Sequence, residues 1–376
     1  MKVTIFSYDL SHNCLVRTHV LAQILDENHE VEIVGPKSEP SVWKPLRDKY
    51  EYKGINTTSY IWDYSQHVSD LRSKISGDVV FVRKPRATSF GLCLLHRAVT
   101  DTPVIVDIED WEVGLHLSYQ SKLRAGLTGL PKIVDLNSIY PTLLMERLVN
   151  RADGVTVSNT FLQKKFGGIL IPHLRDITEF DPDRFDAESL RDEHGFASDS
   201  TVIMFTGTPR PHKGVLELVK AAQGLDRDDV TVAIVGAGDT AYVDEIERIA
   251  GDSVRLIPPQ PFNEVPKWVS MADIVVAPQK QTEGLYGQIP AKVFDAMAMG
   301  KPIIATSISD LPEIIEGCGI LIDEPTPTSL RDAIATLVDN PDTRNEYARK
   351  ARQRAVREFS VKSAVPALDD LMMDIM

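Results

Sequence analysis

Three basic side chains fall within four residues in Gly207-Thr-Pro-Arg210-Pro-His212-Lys213-Gly214, between an apolar strand pattern and an apolar helix pattern. The free N–H groups of a helix N-terminus favour an anion, and flanking Arg and Lys suit a diphosphate. The G-K-[ST] ending of a Walker loop is missing. By spacing alone, solvated loop cations would look the same. A second stretch, Gly236-Ala-Gly238-Asp-Thr-Ala241, follows a strand and fits the G-x-G-x-x-A dinucleotide pattern. That pattern wants an acid at the end of the next strand, but Val254–Ile257 runs into Pro258-Pro259. A tight turn that lets backbone approach a ligand is the better reading.

A third stretch is Gly284-Leu-Tyr-Gly287-Gln288-Ile289-Pro290-Ala-Lys292-Val-Phe-Asp295. Pro290 suits the first helical turn. Lys292 and Asp295, three apart, share a helix face. An ordinary surface ion pair fits that spacing equally well. In the first half, Asp107-Ile-Glu109-Asp110-Trp111-Glu112 closes a strand. Acids beside an indole suit polyol hydroxyls. A metal is the rival reading, but no His accompanies them. Ser7-Tyr8-Asp9 to Arg17, after the first strand, would line the same wall. The nine histidines show no H-E-x-x-H spacing, and no G-x-S-x-G elbow is present.

These residues need elements to hold them at strand ends. Val3–Phe6, Val31–Val34, Val79–Val82, Val104–Asp107 and Val155–Val157 read as strands, with a helix over His12–Glu27 after the first. After an irregular acidic stretch, the pattern restarts with Val202–Phe205, Val230–Val235, Val254–Ile257, Ile274–Ala277, Ile303–Ala305 and Ile320–Ile322. Helical segments follow at Leu330–Val338, Pro341–Glu358 and Val361–Met376, where Pro366 kinks or restarts the helix. Alternating strands and helices make parallel sheets. The fold class is α/β, with two doubly wound Rossmann-like domains facing across a cleft. Their bounds are 1–177 and 178–358, with 359–376 as a closing helix. Such sheets bind ligands at the carboxyl ends of their strands.

The chain has 376 residues, 41 Lys and Arg against 54 Asp and Glu, and a net charge of −13. That balance argues against nucleic acid as a partner. Cys14, Cys93 and Cys318 are far apart, which predicts reduced thiols and no structural metal. No apolar run reaches a membrane span, and the residues after Lys2 are too polar for a signal peptide. A cytoplasmic location is expected. Lys122-Leu-Arg124-Ala-Gly-Leu127-Thr-Gly-Leu130-Pro-Lys132 mixes cations with leucines and suggests peripheral contact with the inner membrane face. An ordinary surface loop and helix is the alternative.

Together these stretches resemble the GT-B glycosyltransferases, specifically retaining family 4 (glycosyltransferase group 1). Phe205-Thr-Gly207, Lys213-Gly214 and Ala221-Ala222 are similar to the family's G-R-x-x-x-x-K-G opening. Met271-Ala-Asp273 through Pro278, Pro290 through Ala305, Leu311 through Ile315 and Gly319 through Ile322 follow in family order. Asp26 through Val31 and Arg151 through Ser158 match in the first half, and Asp110-Trp111 resembles an Asp-Leu-Trp-type motif. Three positions depart from the pattern. The E-x7-E glutamates fall on Gly287 and Asp295, the opening Arg falls on Thr208, and Ser11-His12-Asn13 replaces a Gly-Gly loop.

The resemblance implies transfer of a sugar from a nucleotide-sugar donor to a glycan, lipid-linked or small-molecule acceptor, without cofactor or metal. Lys213, Arg210 and Asp110 would be catalytic. Gly207, His212, Gly236, Gly238, Pro259, Gln260, Pro261, Gly287, Gln288, Ile289, Pro290, Lys292 and Asp295 would bind the donor, Asp295 through ribose hydroxyls. Asp107, Glu109, Trp111, His12 and Asn13 would bind the acceptor. The closing helix would cross back onto the first domain. The alternatives are a nucleotide-sugar-binding subunit without turnover, serving a membrane complex, and a sugar-nucleotide 2-epimerase.

Overall fold

A computed structural model describes residues 1–119 and 134–375. The Lys122–Lys132 segment lies outside the described residues. The chain divides into two compact units. The first takes Met1–His173, Thr282–Gln288 and Val361–Met376; the second takes Leu174–Gln281 and Ile289–Ser360.

In the first unit, strands β1 (Lys2–Phe6), β2 (Glu30–Lys37), β3 (Tyr52–Asn56), β4 (Val79–Arg83), β5 (Val104–Ile108), β6 (Gly154–Val157) and β7 (Ile169–Leu170) form one sheet. Its order is β3-β2-β1-β4-β5-β6-β7, every pair parallel. The register sets Val3 against Val31 and Val79. β1, β4 and β5 are β-branched or aromatic runs, and β4 and β5 are buried along their whole length. Such runs suit a sheet covered on both faces. Phe6, Val82, Phe90, Val106 and Leu162 pack in its core.

The second unit repeats the plan with β8 (Thr201–Thr206), β9 (Val230–Val235), β10 (Val254–Ile257), β11 (Ile274–Ala277), β12 (Ile303–Thr306) and β13 (Gly319–Ile322), in the order β10-β9-β8-β11-β12-β13. Each sheet reverses its strand order beside its first strand, β1 and β8, the switch point where doubly wound folds open a crevice. Ile203, Phe205, Leu218, Ile234, Ile274 and Ile334 fill the core of this unit.

Three expectations shift. β3 is an additional edge strand, half-exposed and carrying Lys53 and Gly54, so it shows no apolar run. The helix expected from His12 begins at Leu15, because Leu15 and Val16 N–H turn back to His12 and Asn13 carbonyls. At the C-terminus a 3₁₀ turn, Val361–Ala364, precedes the helix Val365–Ile375, and Pro366 falls in its first turn. That helix belongs to the first unit, where Asp369 accepts from Asn28 Nδ2 at 2.6 Å and meets His29 Nε2 at 3.1 Å. Among the described residues no helix is long and apolar enough to cross a membrane.

Candidate functional site

In the second unit, the loops after β8, β9 and β10 meet at the strand ends. Gly207 N donates to Val235 O at 2.8 Å, and Gly236 and Ala237 N both donate to Ile257 O at 2.9 Å. Gly236 has φ of 113°, and a Cβ there would lie 2.8 Å from the Gly207 carbonyl. A Cβ on Gly238 would touch the Pro259 ring at 3.4 Å. Gly207, Gly236, Gly238 and Pro259 are therefore gathered by close backbone approach. Gln260 and Pro261 continue the third loop, where Gln260 Nε2 donates to Pro258 O.

The cations stand against this backbone. A 3₁₀ turn, Pro211–Lys213, leads through left-handed Gly214 (φ 64°) into the helix Val215–Leu225. A Cβ on Gly214 would lie 2.0 Å from Pro278 O, so no other residue fits without moving backbone. Gly214→Ala should cost about 1–3 kcal/mol in chemical denaturation; an unchanged midpoint would contradict this geometry.

Lys213 Nζ donates to Thr208 O at 3.0 Å. Lys292 Nζ sits 3.9 Å from the centre of the Phe205 ring and 4.0 Å from where a Gly207 Cβ would be. Arg210 is exposed. Burial, and then Arg210, lower Lys213 to about 8. Burial, Lys213, Arg210 and Lys292 lower His212 to about 4. Burial and Lys213 hold Lys292 well below the ordinary lysine range, with Asp295 opposing them. Among the described residues no carboxylate acts on Lys213. Positive charge on any one of these groups makes the others harder to charge, and an anion held among them would oppose that effect.

The sign of the pH dependence follows. An anion favours the protonated ammonium, so its affinity is full below about pH 8 and falls as Lys213 loses its proton above it. Calorimetric titration of a nucleoside diphosphate from pH 6.5 to 9.5 should show this fall. Constant affinity across that range would separate Lys213 from the anion.

Asp295 does not stand free for a ribose. It is buried, and its carboxylate accepts from Arg175 Nε, whose other nitrogens donate to Ala291 O at 3.1 Å and Leu174 O at 2.8 Å. Nothing in the spacing around Arg175 marks it. Ile289 is buried, and Pro290 lies two residues before the helix Lys292–Ala298, its carbonyl accepting from Val293 N.

In the first unit the strand-end acids are largely neutralised. Asp107 is fully buried and accepts from Arg17, Arg83 and Thr156. Burial raises its pKa, but Arg17 and Arg83 outweigh burial and hold it at about 2. The expectation that Asp107 meets an acceptor gives way to a structural role, because no surface is left to offer a ligand. Glu109 pairs with Arg83, and Glu112 with Lys84 and Arg86. Arg83-Lys84-Pro-Arg86 directly follows β4, so the strand-end rule applied to the acids could have found these partners.

Asp110 differs. Lys84 lies 3.5 Å away and Gln288 Nε2 donates to it at 3.1 Å. Burial, with Glu109 and Glu112 nearby, raises it to about 6 against the pull of Lys84. Trp111 is half-buried, donates to Glu146 at 3.3 Å and lies 5.4 Å from Phe161, ring to ring. Its backbone N–H donates to Gly287 O. Gly287 and Gln288, expected with the donor loop, thus pack on Trp111 and Asp110. His12 and Asn13 lie on a separate pocket of about 470 Å³, with Tyr8, Asp9, Ser38 and Thr58.

The comparisons with known proteins agree with this layout. Residues 200–340, from β8 through the helix Pro327–Asp339, match the family model described as Glycosyl transferases group 1. Over 201 residues the chain is 32% identical to the D-inositol 3-phosphate glycosyltransferase of Corynebacterium glutamicum (strain R), covering 50% of this chain and 46% of that one. Over 193 residues it is 24% identical to the alpha-D-kanosaminyltransferase of Streptomyces kanamyceticus, covering 50% and 48%. The chain spans about half the length of the curated relatives it matches. HepE of Anabaena, solved with UDP-glucose, superposes with a TM-score of 0.77 at 16% identity over 100% of both chains, a likeness of fold. Residues 200–340 thus match the glycosyl transferases group 1 model, and the two Rossmann-like domains have the GT-B fold.

Proposed function

We propose that this chain transfers a sugar from a nucleotide-sugar donor to a glycan, lipid-linked or small-molecule acceptor, with retention of the anomeric configuration. The observation that carries this reading is the basic cluster of Lys213, Arg210, His212 and Lys292, with no carboxylate among the described residues acting on Lys213, at the strand ends of the segment that matches the group 1 model. UDP is the proposed nucleotide, because HepE was solved with UDP-glucose.

The chemistry follows from charge. The bond from the sugar's anomeric carbon to the diphosphate breaks, and negative charge grows on the departing oxygen. Lys213 and Arg210 meet that charge with groups already in place, which stabilises the transition state more than the bound donor. These side chains supply the positive charge that a divalent cation would otherwise bring, and the proposed reaction uses no metal. The acceptor oxygen bonds to the same carbon on the leaving-group face, and its proton passes to the leaving phosphate oxygen.

Incubating the purified chain with UDP-sugars in EDTA tests this. UDP release with an α-linked product from an α-linked donor is expected. No release from any nucleotide sugar would defeat the transferase reading, and a β-linked product would defeat retention.

A further inference from the structure

Lys292 and Asp295 stand three apart on the helix Lys292–Ala298, the spacing at which a lysine and an acid ordinarily pair. The structure pairs Asp295 with Arg175 instead. Lys292 Nζ lies over the ring of Phe205, in β8, 3.9 Å from its centre. The two charges of one helix face therefore take separate neighbours, and Arg175 is what separates them.

Arg175 holds the carboxylate with all three guanidinium nitrogens in use. Nε donates to Asp295 Oδ1, one terminal nitrogen to Leu174 O at 2.8 Å and the other to Ala291 O at 3.1 Å. The guanidinium is a rigid planar fork, so one setting of the side chain satisfies the three acceptors together. Both partners are buried, at 4% and 6% exposure. The guanidinium carbon lies 5.6 Å from the centre of the Phe180 ring, and the backbone N–H of Arg175 donates to Phe359 O at 2.9 Å. Asp295 is close enough to Lys292 to act on it through space, where it opposes burial and Lys213. Its charge would compete for the ammonium if nothing else held it.

We infer that Arg175 is a positioning residue for the donor: by holding Asp295, it keeps Lys292 available to the diphosphate. The inference rests on the reading of the basic cluster as the diphosphate site. Without the guanidinium, Asp295 is a buried carboxylate short of a counter-charge, and Lys292 is the cation in reach on its own helix face. A Lys292–Asp295 pair then draws the ammonium from the phosphates and sets a carboxylate against them. Like charges brought together at a binding surface cost affinity. Arg175 acts through Asp295 and Lys292, and the inference gives it no contact with the donor.

Calorimetric titration of UDP and of uridine at pH 7 tests this on the whole chain as wild type, Lys292→Met, Arg175→Met and the double variant Arg175→Met/Asp295→Asn. The readout is the ratio of UDP affinity to uridine affinity, which isolates the phosphates. Lys292→Met should lower the ratio about tenfold, as loss of one charged hydrogen-bond partner does. Arg175→Met should lower it by a similar factor and leave uridine affinity unchanged. Removing the carboxylate as well should return the ratio to within about threefold of wild type, because no charge is then left to compete for Lys292. A merely structural Arg175 would not be rescued by taking away its partner. An undiminished ratio in Arg175→Met, or a double variant no better than Arg175→Met, would overturn the inference. If Arg175→Met does not fold, the double variant decides, since it leaves neither half of the buried pair unmatched. A ratio near wild type then supports the inference, and one as low as in Lys292→Met overturns it. If wild type binds UDP no tighter than uridine, the diphosphate reading itself has failed. If wild type discriminates and Arg175→Met does so equally, only the role of Arg175 falls.

Discussion

Lys213→Ala should lower kcat for glycosyl transfer by about 10²–10³, or about 2.7–4 kcal/mol, the usual loss on removing one preorganised stabiliser of a developing anion. The residue sits where an eleven-residue helix begins, half-buried, and its ammonium is held by Thr208 O. Its neighbour Arg210 repels it in the free protein, and among the described residues it forms no ion pair, so deletion should not weaken the fold. Thermal stability should therefore stay level or rise while turnover collapses. Arg210→Ala should act in the same direction with a smaller factor, because Arg210 is exposed and solvent screens its charge. Steady-state kinetics on folded variants checks both. Wild-type turnover in Lys213→Ala would remove this residue from the reaction.

Asp107→Ala should act on the fold, at about 3–5 kcal/mol, the cost of breaking a buried ion pair from one side. Arg17 and Arg83 share this carboxylate and are themselves buried, so alanine takes the paired carboxylate from Arg17 and leaves Arg83 with Glu109 alone to balance it. Against a total stability of about 5–15 kcal/mol, that is a large fraction. The pH dependence has a definite sign. With its folded pKa depressed to about 2, Asp107 contributes stability above the ordinary carboxylate range and loses it as pH falls toward 2. Urea unfolding at pH 7 and pH 3 measures both effects. A change under 1 kcal/mol at pH 7 would mean the arginines are satisfied without Asp107.

These two residues show what could be read along the chain and what could not. The six strands of the second unit are short, largely apolar runs, and each appears where the pattern expects it. That Gly207 and Lys213 stand in the loop after a parallel strand was legible for the same reason. β3 was missed because an edge strand exposed along half its surface needs no apolar run. The ion pairs were illegible for a different reason. Asp295 meets Arg175 across 120 residues, and Asp107 meets Arg17 across 90. Such pairing is decided by which strand ends and loops the topology brings together, and local spacing carries no trace of it. Asp107, read as a polyol contact from its acidic neighbours, turned out to be a counter-ion inside the first unit.

The account turns on the claim that the Lys213 cluster binds the donor's diphosphate. Isothermal titration of UDP against uridine, on wild type and Lys213→Ala at pH 7 in EDTA, tests it most directly. Wild type should bind UDP at least a hundredfold tighter than uridine. Lys213→Ala should lose most of that ratio and leave uridine affinity unchanged. Equal affinities of UDP and uridine for the wild type, or a ratio untouched by the substitution, would contradict it.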